Sequence, residues 1–242
     1  MLIGGNLRFR QRYLDGTPTL NDLRLVQLEW FFLPLLRHYR HPRTLHRMLA
    51  ARPEFFHQLM QSIYPIRDDD SPAPSVEEQN RARAAYEVLD SWRQLPGLQS
   101  DGTITADELR AWVESARRLG TESGRPPLWD QRIGRVLAVA PKGEDNVWPH
   151  GSVRDLVEDL ASENIEVGIA LGIANDRGWT IRSLGAGGAQ ERVLVKQYRE
   201  YAPALRETWP RTARLVERIA ESFEHDAHRN DVQAELEQDL WR

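Results

Sequence analysis

Three glutamates and a histidine in the C-terminal part of the chain have the side chains and the spacing of a metal site. The four residues are Glu217, Glu221, Glu224 and His228. On a helix this spacing places them along one flank, where carboxylates and an imidazole could ligate a metal ion if a second helix supplied partners. A solvated face is the simpler interpretation, because Arg214 and Arg218 are their helical neighbours and could pair with them.

The most basic stretch of the chain combines arginines with histidines. Its arginines are Arg37, Arg40, Arg43 and Arg47, and its histidines are His38, His41 and His46. Guanidinium groups contact phosphate and carboxylate oxygens, so the stretch is a candidate for touching nucleic acid or an acidic partner. The alternative is a solvated or intramolecular role, because no stacking aromatic residues are arranged around it.

The segment Ser100 to Glu108 looks like the second half of an EF-hand calcium loop, in which Asp, Gly, Ile and the final Glu have the right spacing. Counting back places Gly97 and Gln99 at the first and third ligand positions, where a calcium loop needs carboxylates. Two main ligands are therefore missing. We predict a tight Asp-Gly turn followed by a helix that Thr105 caps.

Other catalytic signatures are missing from the sequence. The run Gly185 to Gly188 precedes a helix, but it lacks the Lys-Ser/Thr of a P-loop and the third glycine of a dinucleotide fingerprint. There is no Gly-x-Ser-x-Gly or His-Glu-x-x-His, and the chain has no cysteine for thiol chemistry, thiolate metal sites or disulfides. We predict no cofactor, and nothing in the sequence argues positively for an enzyme.

Composition points to a globular protein of the reducing cytosol. The 242 residues carry a formal net charge of −4, and acidic and basic residues are interleaved rather than segregated. The longest apolar stretch, Trp30 to Leu36, is far shorter than the ~18 residues that a membrane span needs. The N-terminus lacks the basic start and apolar run of a signal peptide. We therefore expect a cytoplasmic protein without a membrane partner.

The eight tryptophans are spread through the whole chain, and most fall at apolar helical positions. Those are predicted to lie in the core. Trp148, beside Pro149 in a loop, and Trp241, near the end of the chain, are harder to bury. Because aromatic residues dominate interface hot spots, these two are candidates for anchoring a partner or another domain.

Helical periodicity predicts an all-α fold, either an irregular helical bundle or a short α-solenoid of about ten helices, with at most a minor extended piece near Trp179–Ile181. The first helical run, Leu20 to Tyr39, is interrupted by Pro34, which should kink or split it. The apolar positions of this run are Leu25, Leu28, Phe32, Leu35, Leu36 and Tyr39. Their spacing is that of an apolar stripe on a helix.

An acidic, proline-containing and serine-containing segment at 66–75 predicts a solvated linker. It divides the chain into an N-terminal helical subdomain at 1–65 and a main helical domain at 76–242. Two capping boxes are expected after it, Ser75 with Glu78 and Thr105 with Glu108.

Gly168 and Gly172 lie four residues apart in a helical run that also holds three isoleucines. Glycine costs ~1 kcal/mol in a helix, so the pair predicts a neighbouring helix packed too closely for a side chain. The helix that begins near Gln190 is the expected neighbour.

Blocks throughout the chain resemble the helical C-terminal region of large, mostly uncharacterised bacterial proteins. They are Leu28–Trp30 with Leu33–Leu36, Pro42–His46, Pro53–Phe56, Trp92–Arg93 with Leu95–Gly97, Asp101–Ile104, Gly187–Arg192 and Trp209–Ala213. The resemblance implies a sizeable helical region attached to other domains, in a setting such as bacterial defence or a toxin–antitoxin-like system. It carries over no catalytic residue, and the start at Met1 is compatible with a fragment of a longer protein.

Three hypotheses follow for function. The first is a non-enzymatic helical module for protein interaction or sensing, with a protein partner or other domains of a larger chain. The second is a metal-dependent enzyme that uses the flank from Glu217 to His228, which would then face a pocket and further ligands. The third is a nucleic-acid binder that uses the stretch Arg37 to Arg47.

Overall fold

Helices account for all the regular structure in the part of the chain that the structure describes. The computed structural model describes residues 20–36, 41–66, 72–99, 101–176 and 187–240. These ranges contain eleven helices and no strand, with one isolated antiparallel bridge between Leu98 and Ile104. The predicted all-α fold of about ten helices is therefore confirmed. The extended piece expected near Trp179–Ile181 lies outside the described residues.

Contacts divide the chain into two compact units, Met1–Trp129 and Asp130–Arg242. The helices of the first unit are α1 (Leu20–Phe31), α2 (Leu33–Leu36), α3 (Arg43–Ala51), α4 (Pro53–Ile63), α5 (Val76–Ser91) and α6 (Ala106–Glu122). Helix α7 (Pro126–Leu137) crosses the division. The helices of the second unit are α8 (Gly151–Leu160), α9 (Glu163–Asp176), α10 (Ala189–Leu205) and α11 (Pro210–Leu240).

The division by contacts falls at a different place from the predicted linker at 66–75. Helices α4 and α5, which flank that segment, pack against each other inside the first unit. Ile66 and Pro72 to Ser75 are exposed, and residues 67–71 lie outside the described ranges. A solvated linker would be the first segment that limited proteolysis cuts, and early cleavage within 66–75 stays a prediction.

An aromatic cluster forms part of the core of the first unit. The ring centroids of Phe56 and Trp112 lie 5.2 Å apart, and those of Trp92 and Trp112 lie 5.6 Å apart. Trp112 also donates from Nε1 to the carbonyl oxygen of Leu49 at 2.9 Å, so its one polar atom is satisfied inside the core. The expectation that most tryptophans are core residues is confirmed for Trp92, Trp112 and Trp129, which are all buried.

The two predicted capping boxes have different outcomes. Ser75 and Glu78 form the expected box at the start of α5: the Ser75 amide donates to Glu78 at 2.7 Å, and the Glu78 amide donates to Ser75 at 3.2 Å. Thr105 does precede α6, but its side chain caps no backbone amide. The prediction for Thr105 was wrong because its hydroxyl accepts a hydrogen bond from the side chain of Gln99 instead.

Gln99 fills the loop that resembles a calcium site. Its Nε2 donates to the carbonyl oxygen of Gly97 at 3.2 Å, to Oγ1 of Thr105 at 3.1 Å and to Oε2 of Glu108 at 3.3 Å. Asp101 accepts from the amide of Thr103 at 3.0 Å, which forms the predicted tight turn. The loop is therefore held together by its own side chains.

Three helix starts receive a carboxylate from another helix. Glu29 of α1 accepts from the amides of Thr44 and Leu45 in α3, at 2.8 and 2.9 Å. In the second unit, Glu158 of α8 accepts from the amide of Thr212 in α11 at 2.8 Å, and Asp231 of α11 accepts from the amide of Gly188, the N-cap of α10, at 2.7 Å. Each carboxylate satisfies amides that have no partner within their own helix, and each also faces the positive end of the helix dipole.

Helices α7 and α9 touch backbone to backbone where their glycines meet. A Cβ atom on Gly168 would lie 2.0 Å from the carbonyl oxygen of Gln131 and 2.9 Å from the Cα of Gly134, and one on Gly172 would lie 2.5 Å from the Cβ of Ala138. The close packing predicted from the glycine pair is therefore present. The predicted neighbour was wrong, because α7 lies there instead of the helix that begins near Gln190.

We expect Gly168→Ala to destabilise the protein by roughly 1–3 kcal/mol, because its methyl group would push α9 away from the α7 backbone. Gly151→Ala is the matched control, since a Cβ atom there meets nothing within 4 Å. It should leave stability unchanged or raise it by up to ~1 kcal/mol. Urea unfolding of both variants measures the difference, and equal stabilities would contradict the close-packed contact.

We expect Glu29→Gln to lower the free energy of unfolding by roughly 1–3 kcal/mol, because an amide cannot accept every bond that the buried carboxylate accepts from α3. The control is Glu114→Gln, at an exposed position of α6 where the carboxylate lies 4.0 Å from Arg110. That control should change stability by less than ~0.5 kcal/mol. A loss no greater for Glu29→Gln than for the control, in the same urea titration, would show that the cap is energetically unimportant.

Candidate functional site

Two glutamates on the acidic flank of α11 are paired with arginines that lie in α10 and directly after it. Glu217 is paired with Arg206 at 3.0 Å, and Glu224 with Arg199 at 2.6 Å. Glu221 and His228, the other two candidate metal ligands, are both exposed. Within the described ranges, no group of three histidine, aspartate or glutamate side chains is placed to hold a metal ion. The flank has the geometry of charge pairs on a wet face.

Trp148 is a core residue, which corrects its assignment as an interaction candidate. The side chain is 7% exposed, Nε1 donates to the carbonyl oxygen of Ala140 at 3.0 Å, and the ring packs edge-on to Tyr198. The peptide bond between Trp148 and Pro149 is cis. Trp241, the other tryptophan proposed as an anchor, lies outside the described residues.

Arg154 holds the loop that carries Trp148 against the rest of the second unit. The buried guanidinium donates to the two carboxylate oxygens of Asp145 at 2.6 and 2.8 Å, and Nε donates to the carbonyl oxygen of Pro149 at 2.6 Å. These hydrogen bonds from Arg154 lower the pKa of Asp145 to about 2. A buried cation thus folds the loop inward, and the loop sequence alone did not reveal this.

Helices α1 and α2 carry an apolar surface that faces outward. Five large apolar side chains are exposed within eleven residues. They are Leu25 (42%), Leu28 (51%), Phe31 (76%), Phe32 (44%) and Leu35 (59%), here named the α1–α2 face. Four of these five belong to the apolar positions of the helical run from Leu20 to Tyr39.

Glu29 and Leu33 take the inward positions in place of that stripe. Glu29 is 6% exposed and Leu33 is 2% exposed. Because the Glu29 carboxylate binds the start of α3, α1 is rotated so that this residue points into the unit. Leu25, Leu28 and Phe31 of α1 remain exposed to water, at a cost of about 25 cal/mol for each Å² of apolar surface.

Basic residues lie near the α1–α2 face, both on α1 itself and at the start of the neighbouring helix α3. Arg24 is exposed on α1, and His41 and Arg43 are exposed at the start of α3, which packs against α1. Glu29 is the one acidic residue in 24–36 and 41–52, and it is buried. Among residues 24–36 and 41–52, the exposed charged side chains are therefore all basic, and Gln27 is a neutral polar residue.

A cleft of about 470 Å³ lies beside the first turn of α3, here named the basic cleft. The described residues that line it are His41, Arg43, His46, Arg47, Arg93 and Gln94, and none of them is acidic. Arg93 comes from the segment after α5, where Nη1 donates to the carbonyl oxygens of Asp90 at 2.7 Å and Trp92 at 3.0 Å. Two distant parts of the sequence thus contribute cations to one cleft.

His46 forms a buried wall of the basic cleft. The side chain is 5% exposed, and Nε2 lies 3.2 Å from Oγ of Ser91. Its ring centroid lies 6.1 Å from that of His41. Burial, together with the positive charges of His41 and Arg93, lowers the pKa of His46 to about 4. The imidazole is therefore neutral near pH 7.

Half of the arginines predicted as interaction candidates can be placed in the structure. Arg43 and Arg47 both line the basic cleft. Arg37 and Arg40 lie outside the described residues. Sequence reasoning missed Arg93, which lies some fifty residues away from that stretch in sequence. Its only local signal is that it follows the end of a helix and precedes Leu95-Pro96-Gly97.

No protein-family model matches the chain, and the searches of curated proteins and of solved structures returned no significant match. No helix in the described part of the chain is long and apolar enough to cross a membrane. The assignment of function therefore rests on the α1–α2 face and the basic cleft.

His46 should make stability depend on pH between its folded pKa of about 4 and its ordinary value of 6.5. In that window the unfolded chain binds a proton at His46 that the folded protein does not bind, so the free energy of unfolding falls as pH falls. The loss approaches roughly 3 kcal/mol at the acidic end of the window.

His46→Gln should remove that part of the pH dependence while leaving the contributions of the other titrating groups. Urea unfolding at about pH 4.5 and about pH 7 measures it for both proteins, as the change in unfolding free energy between the two conditions. An identical change in the variant and the wild type would show that His46 titrates normally in the folded state.

Proposed function

We propose that the chain is a non-enzymatic helical module for protein interaction, part of a larger bacterial system in the cytoplasm, and that the α1–α2 face is its interface. The observation that supports this is the outward orientation of five large apolar side chains on one short segment. Exposed apolar clusters of this kind mark interaction sites in soluble proteins.

The energetics of the α1–α2 face suit a docking surface. Full burial of a single leucine or phenylalanine side chain stabilises a complex by roughly 1.5–3 kcal/mol. Phe31 and Phe32 also pack edge to face, with ring centroids 5.1 Å apart, and so present a preformed aromatic pair. A few such anchors, rather than total area, carry most of the binding energy in protein interfaces.

The partner that we propose is an amphipathic helix with an apolar stripe and an acidic flank. The apolar stripe would fill the α1–α2 face, as helices do in apolar grooves. The acidic flank would meet Arg24 and Arg43, which are the exposed arginines on α1 and at the start of α3. A second copy of this chain fits less well, because it would bring the same cations together across the interface.

The two alternative functions have less support. A metal-dependent enzyme would need the flank from Glu217 to His228 to face further ligands, whereas Glu217 and Glu224 are paired with arginines. A nucleic-acid binder would need cations spaced along a track for successive phosphates. Arg43, Arg47 and Arg93 instead line one cleft. The resemblance to helical regions of large bacterial proteins supports a partner or a neighbouring domain of the same larger system, such as one in defence.

Selection from a displayed library of helical peptides, with the full chain as bait, tests the proposal. We expect enriched peptides to share an apolar stripe and an excess of aspartate or glutamate. Phe31→Asp and Leu28→Asp should each weaken the binding of these peptides by at least ~10-fold, since each removes an anchor and buries a charge. Thermal melts establish that both variants are folded.

The matched control is Val193→Asp, which changes an exposed apolar residue of α10 (66% exposed) in the second unit. It should leave the affinity of the enriched peptides unchanged. Peptides that bind all three variants as well as the wild type would overturn the proposed interface. A concentration-dependent dimer that Phe31→Asp abolishes would instead identify the face as a contact between copies of this chain.

A further inference from the structure

We propose that the basic cleft is a binding site for the phosphate group of a small soluble molecule. The site shares Arg43 with the docking surface proposed above, and its other lining residues lie outside the α1–α2 face. Its chemistry follows from its lining, which combines three arginines and two histidines with one neutral amide. A doubly charged oxyanion is the ligand that such a lining favours.

The side chains that line the cleft come from two separate parts of the chain, which gives the site a defined shape. His41, Arg43 and Arg47 come from the first turns of α3 and the residue before Pro42, while Arg93 and Gln94 come from the segment after α5. The position of Arg93 is fixed in part by Nη1, which donates to the carbonyl oxygens of Asp90 and Trp92. Guanidinium groups that approach from two sides can donate to different oxygens of one phosphate.

The helix start beside the cleft does not by itself provide the anion site. The amides of Thr44 and Leu45, at the N-terminus of α3, already donate to the buried carboxylate of Glu29. Side chains must therefore supply the donors for a ligand, and the arginines do so. His46 contributes a neutral side chain to the wall of the cleft. Its Nε2 lies 3.2 Å from Oγ of Ser91, and this contact fixes the position of the ring.

The size of the cleft argues for a small molecule instead of a polymer. A volume of about 470 Å³ falls in the range of ligand pockets, which is roughly 300–1,000 Å³. A single-stranded nucleic acid needs a groove that follows its backbone and aromatic side chains that stack on its bases. The described lining of the basic cleft contains neither phenylalanine, tyrosine nor tryptophan.

Isothermal titration of the full chain with inorganic phosphate and with AMP, at constant ionic strength, tests the site. We expect saturable binding of both probes, in the millimolar range or tighter. Arg43→Gln and Arg93→Gln should each weaken binding by at least ~10-fold, as expected when one charge-assisted hydrogen bond to an anion is lost. Arg83→Gln, at an exposed position of α5 away from the cleft, is the matched control and should bind like the wild type.

Two other results of that titration would overturn the proposed phosphate site. Absence of saturable phosphate or AMP binding does so, and so does an equal loss in Arg83→Gln, which would indicate a nonspecific charge effect. A single-stranded DNA of about 12 nucleotides serves as the competing probe. If it binds far more tightly than AMP, and its affinity falls by ~10³-fold or more between about 50 and 200 mM salt, the ligand is nucleic acid instead of a small phosphate.

Discussion

The structure depends on carboxylates that one helix supplies to the N-terminus of another. A helix start has amides without partners, and a local Ser or Thr cap satisfies them without fixing anything beyond its own turn. Glu29, Glu158 and Asp231 satisfy them from helices far away in sequence, so each contact fixes the relative position of two elements. Glu29 is almost fully buried, where a charge survives only with hydrogen bonds of this kind. Packing of apolar faces then follows an arrangement that polar contacts have already defined.

The surface of the first unit is a consequence of the Glu29 contact. Glu29 is directed at α3, and Phe31, which lies on the opposite side of α1, is exposed to water. The first unit therefore has a buried carboxylate with hydrogen-bond partners and an apolar surface that is exposed to water. That combination suits the proposed module, whose binding partner would cover the apolar surface.

Local features of the sequence predicted local features of the fold. The helices and the Ser75 capping box depend on residues within a few turns of one another. The glycine spacing predicted a close approach at Gly168 but did not identify α7 as the neighbour. Contacts between distant residues were not predictable in this way. An acid such as Glu29 inside an apolar run suggests the wet side of a helix, and nothing near it in sequence reveals the amides that it binds. Trp148 was misjudged for the same reason, because Arg154 draws its loop inward. Only part of the basic cleft could be predicted from the sequence, since Arg93 joins it through the tertiary fold.

The side chain of Gln99 gives the loop before α6 a property that a metal-bound loop lacks. Its amide nitrogen contacts Gly97, Thr105 and Glu108, which are the first, ninth and twelfth positions when the loop is aligned with a calcium site. A donor that is covalently attached to the loop cannot be diluted or chelated. The order of this turn is thus uncoupled from the ionic composition of the surroundings, and the helix pair that it joins keeps one geometry where a calcium sensor would switch between two.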